Sequence, residues 1–412
     1  MSLTSPEFDA TIHLLFAENQ PRNAIGIDMN KTAFQLHERI LSLVARGVGQ
    51  PTTDAEFDAL AREIFTFQYD HCGVYRAFCE QQRFTPETVE HWKQIPAVPT
   101  TAFKHFALAC FPVEEAAAEF HTSGTTREKS GKHFFQTLDL YEAAIRPNFE
   151  AHLLPEIVER ASRPFVSRHT LMNGQDARST LLPMLVLTPS PEEAPHSSLA
   201  HMMGVVVKEF GTTDSGFYVE RGAVCMERLT TALREAERAR QPVFLLGTAF
   251  AFVQFFDSCA AKDLRFELAA GSRAMETGGF KGRTREVPKK ELYGMFERVL
   301  GIPSSRVVNE YGMTELSTQF YDLTLRDGRQ TDQKIALPWS RVLVIDPDTG
   351  KEQREGERGL IRIHDLSNLW SAMCIQTEDL GIATGDRFEV LGRAAGAEVR
   401  GCSLNAETFS AR

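Results

Sequence analysis

Among the seven cysteines of the chain, at positions 72, 79, 110, 225, 259, 374 and 402, there is no CxxC pair and no metal-ligand spacing. That excludes a zinc ribbon and a disulfide framework, so the expectation is reduced thiols in a cytoplasmic protein. A long hydrophobic run is also lacking. The most apolar stretch, residues 242–256, contains Gly247 and meets Asp257, short of the about 20 residues a bilayer requires. It reads as a buried strand followed by a buried helix. The first 21 residues carry acidic side chains and no continuous apolar core, so no secretory leader is expected. Basic charge is in deficit, with 45 Lys and Arg against 55 Asp and Glu and a net charge of −10. A general nucleic-acid binder needs a basic face to displace phosphate counterions, and none is expected here. No Gly-x-Ser-x-Gly elbow points to a hydrolase, and no internal repeat is visible. What is present, 42% hydrophobic and 24% charged residues over 412 positions, is the balance of a globular protein with one large or two ordinary domains.

The first part of the chain, 1–99, reads as a helical N-terminal region. Thr53 and Glu56 form a capping-box signal ahead of Phe57, Leu60, Ala61, Ile64 and Phe67 at helical spacing. An earlier helix, from about Thr32, stops at Gly47. Ile95-Pro96-Ala97-Val98-Pro99 is neither regular helix nor central strand, because two prolines remove backbone donors. From 100 to 338 short apolar runs alternate with amphipathic helices. Strands are expected at 184–187, 205–207, 243–246, 266–269 and 306–309. Between the last two, Leu292, Met295, Phe296, Val299 and Leu300 share a helix face. That alternation specifies an α/β fold with a largely parallel sheet. From 339 to 412, strands at 342–345, 360–363 and 388–391 with a tight turn over 346–350 make a small β-rich subdomain packed on the larger one.

Two segments have the composition of a ligand site. In His121-Thr122-Ser123-Gly124-Thr125-Thr126-Arg127-Glu128-Lys129-Ser130-Gly131-Lys132, small hydroxyl residues around a glycine let backbone and hydroxyl donors approach an anion, and Lys129 and Lys132 add charge. Six residues separate Gly124 from Gly131, and His133 follows Lys132, which disfavours a Walker A loop. A polar surface turn has the same composition. Asn309-Glu310-Tyr311-Gly312-Met313-Thr314-Glu315 follows an expected strand, and that edge of an open α/β sheet is where ligands bind. Tyr311 offers a stacking face, Thr314 a phosphate contact and Glu315 an oxygen for Mg²⁺. Taken alone, this segment is equally a turn with a helix N-cap.

These two segments, followed by Thr377-Glu378-Asp379-Leu380-Gly381 and Phe388-Glu389-Val390-Leu391-Gly392-Arg393, resemble in their order the signatures of adenylate-forming enzymes. A narrower likeness lies in the proline-rich passage at 95–99 with Phe103-Lys104, in Glu276-Thr277-Gly278-Gly279-Phe280-Lys281-Gly282, and in Arg400-Gly401-Cys402-Ser403-Leu404. These resemble the acyl-protein synthetase (luciferin-component ligase) family of bacterial bioluminescence, from about Phe57 to the C-terminus. Phenylacetate–CoA ligases are the next nearest.

The resemblance implies a large adenylate-forming N-terminal-type domain and a two-step ligase reaction. A carboxylate attacks the α-phosphate of ATP, then a thiol displaces AMP, with Mg²⁺ and positioned donors stabilising phosphate charge. Motif matching implies that Ser123, Gly124, Thr125 and Thr126, with Lys129 or Lys132, hold the β- and γ-phosphates. It places Tyr311 and Gly312 on the adenine, Thr314 near the α-phosphate and Glu315 on Mg²⁺. Asp379 takes the ribose hydroxyls, assisted by Arg393, and Gly278 and Gly279 line the adenine pocket, where a tight turn explains them almost as well.

Arg127 and Ser130 depart from the usual phosphate loop, which has Gly and Lys there, so the lysine that meets phosphate is left open. Ala395 stands at the hinge position and the chain stops at Arg412, so the mobile C-terminal domain with its lysine is expected to be missing or vestigial. The bioluminescence family is likewise short, and in it a cysteine near the C-terminus accepts the acyl group. Cys402 matches that position, Cys374 is the reserve, and the other cysteines read as small buried hydrophobes. His196 and His201, five apart, match no helical metal pair and read as structural, with a substrate-facing loop as the alternative. The implied partners are a carboxylic acid, in this family a fatty acid, and an acyl-accepting protein such as a reductase or carrier. Two alternatives stand beside this reading: an acyl- or aryl-CoA ligase relative lacking its C-terminal domain, and a nucleotide- or acyl-binding protein without turnover.

Overall fold

A computed structural model describes residues 26–122, 130–155, 181–278 and 287–393, with side chains from residue 31. The described residues begin with three helices, α1 (Gly26–Ala45), α2 (Asp54–His71) and α3 (Gly73–Gln81). A short passage, β1 (Val98–Pro99) and α4 (Ala102–His105), leads to a hairpin of β2 (Ala118–His121) and β3 (Lys132–Phe135). Then follow α5 (Asp139–Leu153), β4 (Met184–Leu187), α6 (Ser198–Phe210), β5 (Gly216–Phe217), β6 (Val219–Glu220), β7 (Ala223–Val224) and α7 (Met226–Ala239). The alternation continues through β8 (Phe244–Thr248), α8 (Ala249–Ala261), β9 (Arg273–Thr277), α9 (Lys289–Leu300), β10 (Val307–Tyr311), β11 (Phe320–Tyr321) and α10 (Thr324–Asp327). The last strands are β12 (Lys334–Ile335), β13 (Ser340–Ile345), β14 (Arg358–Asp365), β15 (Cys374–Thr384) and β16 (Arg387–Arg393).

Helix α2 starts where its capping signal stands: the Thr53 hydroxyl accepts from the Glu56 N–H at 3.2 Å. Its inward stripe includes Phe57, Leu60, Ala61, Ile64 and Phe67. Helix α1 ends at Ala45, just ahead of Gly47. The central sheet runs β11-β10-β9-β8-β4-β5, parallel throughout except for the antiparallel β11. Alternate residues face opposite layers. Leu245, Ala274 and Val307 join one core with α7, α8 and α9, while Leu246, Met275 and Val308 join another with α5 and α6. Helices thus cover both faces, and the C-terminal ends of β8, β9 and β10 share one edge.

The second sheet, β12-β16-β15-β14-β13, is antiparallel, and β1 pairs in parallel with the start of β15. Its inner face shares a single apolar core with α1, α2 and α3, from Ala33 to Phe388. Buried Gln68 ties the two together: its amide donates to the Asn368 and Leu369 carbonyls at 2.9 and 3.0 Å and accepts from the Met373 N–H at 3.1 Å. The prolines at 96 and 99 confine β1 to two residues of pairing, Val98 with Ile375 and Pro99 with Gln376. Among the described residues no helix is long and apolar enough to cross a membrane.

Two expected strands are corrected. Residues 205–207 lie inside α6, which Ser197 caps by accepting from the Ala200 N–H at 3.1 Å. An apolar run reads alike as strand or buried helix, and here the cap decides. Residues 266–269 form no strand. The N–H groups of Phe266 and Leu268 instead donate to the Val299 and Leu300 carbonyls at the end of α9. The strand between β8 and β10 is β9, whose buried Arg273 and Glu276 hide its apolar pattern. Arg273 donates to the Leu153 carbonyl at 3.0 Å, and Glu276 accepts from Asn309 at 2.9 Å and Tyr293 at 3.2 Å.

Candidate active site

Strand β10 delivers Tyr311 to the sheet edge and the chain turns at Gly312, where a Cβ would overlap the Glu310 carboxylate. The turn is therefore glycine because a side chain already fills the space. Glu310 is buried and accepts from the Thr277 hydroxyl of the neighbouring strand, and burial pushes its carboxyl up to about 7.

The Tyr311 phenol donates to the Asp379 carboxylate at 2.8 Å, joining the edge of the parallel sheet to β15. Burial first, then the Asp379 charge, hold that phenol well above its ordinary range. Asp379 is the register partner of Arg393, which lies exposed at the end of β16. Two residues expected at the ribose thus occupy facing positions of one ladder.

Thr314 and Glu315 sit on a segment pinned from two sides. From the antiparallel sheet, the buried Asp365 carboxylate accepts from the Ser317 and Thr318 N–H groups at 3.0 and 2.8 Å, and Asn368 donates to the Glu315 carbonyl at 2.9 Å. From the hairpin, His133 Nδ1 donates to the Thr314 carbonyl at 2.7 Å. Burial depresses this imidazole to about 4, so it is neutral near neutral pH. The Thr314 hydroxyl lies 3.3 Å from the His121 carbonyl, as donor to it, and 3.4 Å from the Ser198 hydroxyl. The Glu315 side chain is buried beneath, near enough to Tyr311 to act on its phenol.

The hairpin closes where His121 pairs with Lys132. The Thr122 N–H donates to the Gly131 carbonyl at 2.9 Å, and the Gly131 N–H donates to the Thr122 hydroxyl at 2.8 Å. A Cβ on Gly131 would come within 3.0 Å of the Phe103 backbone carbon, so glycine allows the hairpin to dock on α4. Lys132 is engaged: its ammonium lies 3.2 and 3.3 Å from the two Glu119 oxygens. The His121 hydrogen bond, and then Lys132, hold the Glu119 carboxyl below its usual range.

Of the residues singled out in sequence, Lys132, Tyr311, Gly312, Thr314, Glu315, Asp379 and Arg393 fall on or beside this edge. Gly278 follows β9 in a left-handed turn, φ +74°, with open space around it. Ser123, Gly124, Thr125, Thr126, Lys129, Gly279 and Cys402, with Arg127 and Ala395, lie outside the described residues. Cys374 is buried, 3.1 Å from His364 Nε2, and burial pushes its thiol up to about 12, which leaves no thiolate. His201 bonds Glu142 at 3.0 Å and packs on Phe120 and Tyr141. Sequence reasoning missed Glu119, His133, Ser198 and Asp365. Period-two spacing could have put Glu119 and His121 on one strand face; the other three act through tertiary neighbours.

Comparison with known proteins agrees with this architecture. The solved structure of 2-hydroxyisobutyryl-CoA ligase, in an open conformation with 2-HIB-AMP and CoA, superposes with a TM-score of 0.57 at 14% identity, over 84% of this chain and 76% of that one. The same ligase in its postadenylation state gives 0.55 over 84% and 69%. Two long-chain-fatty-acid–luciferin-component ligases are similar along most of their length. That of Aliivibrio fischeri is 22% identical over 84% of this chain and 87% of its own, and that of Vibrio harveyi 23% over 86% and 88%. The family model of acyl-protein synthetase, LuxE, matches residues 173–409, more than half of the sequence. On that match, this chain belongs to the acyl-protein synthetase family.

Proposed function

We propose that this chain activates a carboxylic acid with ATP and passes the acyl group to a thiol. The supporting observation is the meeting of Tyr311, at the end of β10, with Asp379 of β15, the phenol 2.8 Å from the carboxylate. In the first step an oxygen of the acid attacks the α-phosphorus. The bond to the bridging oxygen breaks, pyrophosphate leaves, and an acyl-adenylate forms. In the second, a thiolate attacks the acyl carbon and AMP departs with the electron pair of the carbon–oxygen bond.

Tyr311 presents its ring to the adenine beside Gly312 and Gly278. Asp379 accepts from the ribose hydroxyls, with Arg393 across the ladder. The Thr314 hydroxyl, turned away from the His121 carbonyl, donates to the α-phosphate, and residues 123–126 with Lys129 or Lys132 hold the outer phosphates. For Lys132 this requires leaving Glu119. The Glu315 carboxylate is the kind of oxygen ligand Mg²⁺ takes and would hold the ion, which when bound would supply positive charge at the phosphate oxygens.

The acid is proposed to be a fatty acid, as in the names of the two relatives, and the first acyl acceptor to be Cys402, since Cys374 is buried and protonated. A reductase or carrier protein would receive the acyl group next. Acid-dependent ATP–pyrophosphate exchange across short, long and aromatic acids tests the first step. Exchange with long-chain acids is expected; ATP binding without exchange for any acid would overturn the reading. Intact mass after incubation with ATP, Mg²⁺ and acid tests the second, and an adduct that persists in Cys402→Ser would reassign the acceptor.

A further inference from the structure

We propose that Glu119, His121 and His196 form a binding site for a divalent transition metal, with zinc the ion their chemistry suits. The site lies on the hairpin and uses neither Thr314 nor Glu315 as a ligand. Strand periodicity places Glu119 and His121 on one face of β2, and the segment leading into α6 lays His196 against that face.

The backbones are locked together first. The His121 N–H donates to the His196 carbonyl at 2.8 Å, and His196 Nδ1 lies 3.1 Å from the Glu119 carbonyl. The two imidazoles stack, parallel to within 3° with centroids 4.4 Å apart, so the half-exposed His196 ring must turn for both lone pairs to meet one ion. His121 Nε2 stands 2.8 Å from Glu119 Oε1 and His196 Nδ1 3.8 Å from the same oxygen. One ligand atom from each of the three lies within 4.8 Å of the others.

Two imidazoles and a carboxylate make a nitrogen-rich donor set. Zinc takes such a set tetrahedrally, whereas Mg²⁺ and Ca²⁺ call for oxygen alone. The three side chains are partly exposed, with His196 at 55%, so an ion has a path in. The Glu119 carboxylate already carries a counter-ion in Lys132, 3.2 Å away. A metal on Glu119 would take over that role and loosen the hold on Lys132. None of this depends on the nucleotide reading, because the site is complete without ATP.

The test uses the tag-free full chain, stripped with EDTA and supplied with excess Mg²⁺ but no nucleotide. Zn²⁺ is titrated against a chromophoric chelator, and Co²⁺ by its visible absorption. One equivalent is expected, without the thiolate charge-transfer band that cysteine ligation gives Co²⁺. Affinity should fall at least about tenfold in His196→Ala and in His121→Ala. It should be unchanged in His201→Ala, a nearby histidine already paired with Glu142. Because His196 is exposed, its variant keeps the fold, and circular dichroism checks this. No bound equivalent, a thiolate band, or undiminished affinity in His196→Ala would each overturn the proposal.

Discussion

Tyr311 and Asp379 lie 68 positions apart and are joined by a 2.8 Å hydrogen bond from phenol to carboxylate. One comes from the parallel sheet and the other from the antiparallel sheet, so the bond fixes how the two present their loops. It also holds the Asp379 carboxylate in place through one oxygen. A carboxylate oriented in advance gives up less conformational freedom on binding than a free one.

This division of labour separates two substitutions. Tyr311→Phe removes the bond but keeps the ring, so stability should fall by about 1 kcal/mol with only a small rise in the KM for ATP. Asp379→Asn removes the negative acceptor proposed for the ribose and should raise the KM for ATP about tenfold, equivalent to about 1.4 kcal/mol. Pyrophosphate exchange at varied ATP reads both. An unchanged KM in Asp379→Asn would take that residue out of the nucleotide site.

Gly312 and Glu310 contest one volume. Gly312→Ala forces the Glu310 carboxylate off its bond from Thr277, at a cost of about 1–3 kcal/mol. In a Glu310→Ala background the same change should be nearly neutral. Urea unfolding of the four proteins in this cycle measures the coupling. Additive losses would mean that the two groups do not meet.

Asp365 is the buried post on which the segment after Glu315 hangs. Its carboxylate accepts from the N–H groups of Ser317, Thr318 and Ser367 and from the Thr318 hydroxyl, at 2.8 to 3.1 Å. Asp365→Ala orphans three backbone donors and should cost about 3–5 kcal/mol. Asp365→Asn keeps an acceptor oxygen for part of the set and should cost less. Equal losses in the two variants would show that packing, rather than the acceptors, holds the segment.

Elements whose cause is local were legible in the sequence. Thr53 caps α2 where its spacing predicts, and β4 occupies 184–187 as its apolar run predicts. Elements decided by neighbours were not. Residues 205–207 follow the helix begun at Ser197, and β9 is a strand despite Arg273 and Glu276 because Leu153, Tyr293 and Asn309 satisfy their polar groups. The candidate site divides in the same way. Residue type at a strand end marked Tyr311 and Thr314, and only the resemblance of its motif marked Asp379. That Lys132 pairs with Glu119, and that His133 braces Thr314, follows from hairpin register and docking, which no residue type announces.

Buried titratable groups of opposite sense make stability depend on pH in a way variants can separate. Burial depresses His133 and His152 to about 4 and His364 to about 3. The fold accepts these side chains only when neutral. Their contribution is complete above the ordinary histidine value and is lost as pH falls below it toward the folded values. At about pH 5.5 each should cost roughly 1.4 kcal/mol. Glu310, pushed up to about 7 by burial, acts the other way: its contribution is complete below the usual glutamate range and is lost as pH rises through about 7. Acidifying from about pH 7 to 5.5 should therefore recover roughly 1.5 kcal/mol at Glu310 and mask part of the histidine loss. Glu310→Gln removes the opposing contribution, so its stability should fall more steeply over that interval than that of the parent protein. His152→Gln should flatten the fall by about as much as one histidine costs. Urea midpoints at the two pH values measure both slopes, and a Glu310→Gln slope parallel to the parent's would mean that Glu310 stays ionised in the folded protein down to about pH 5.5.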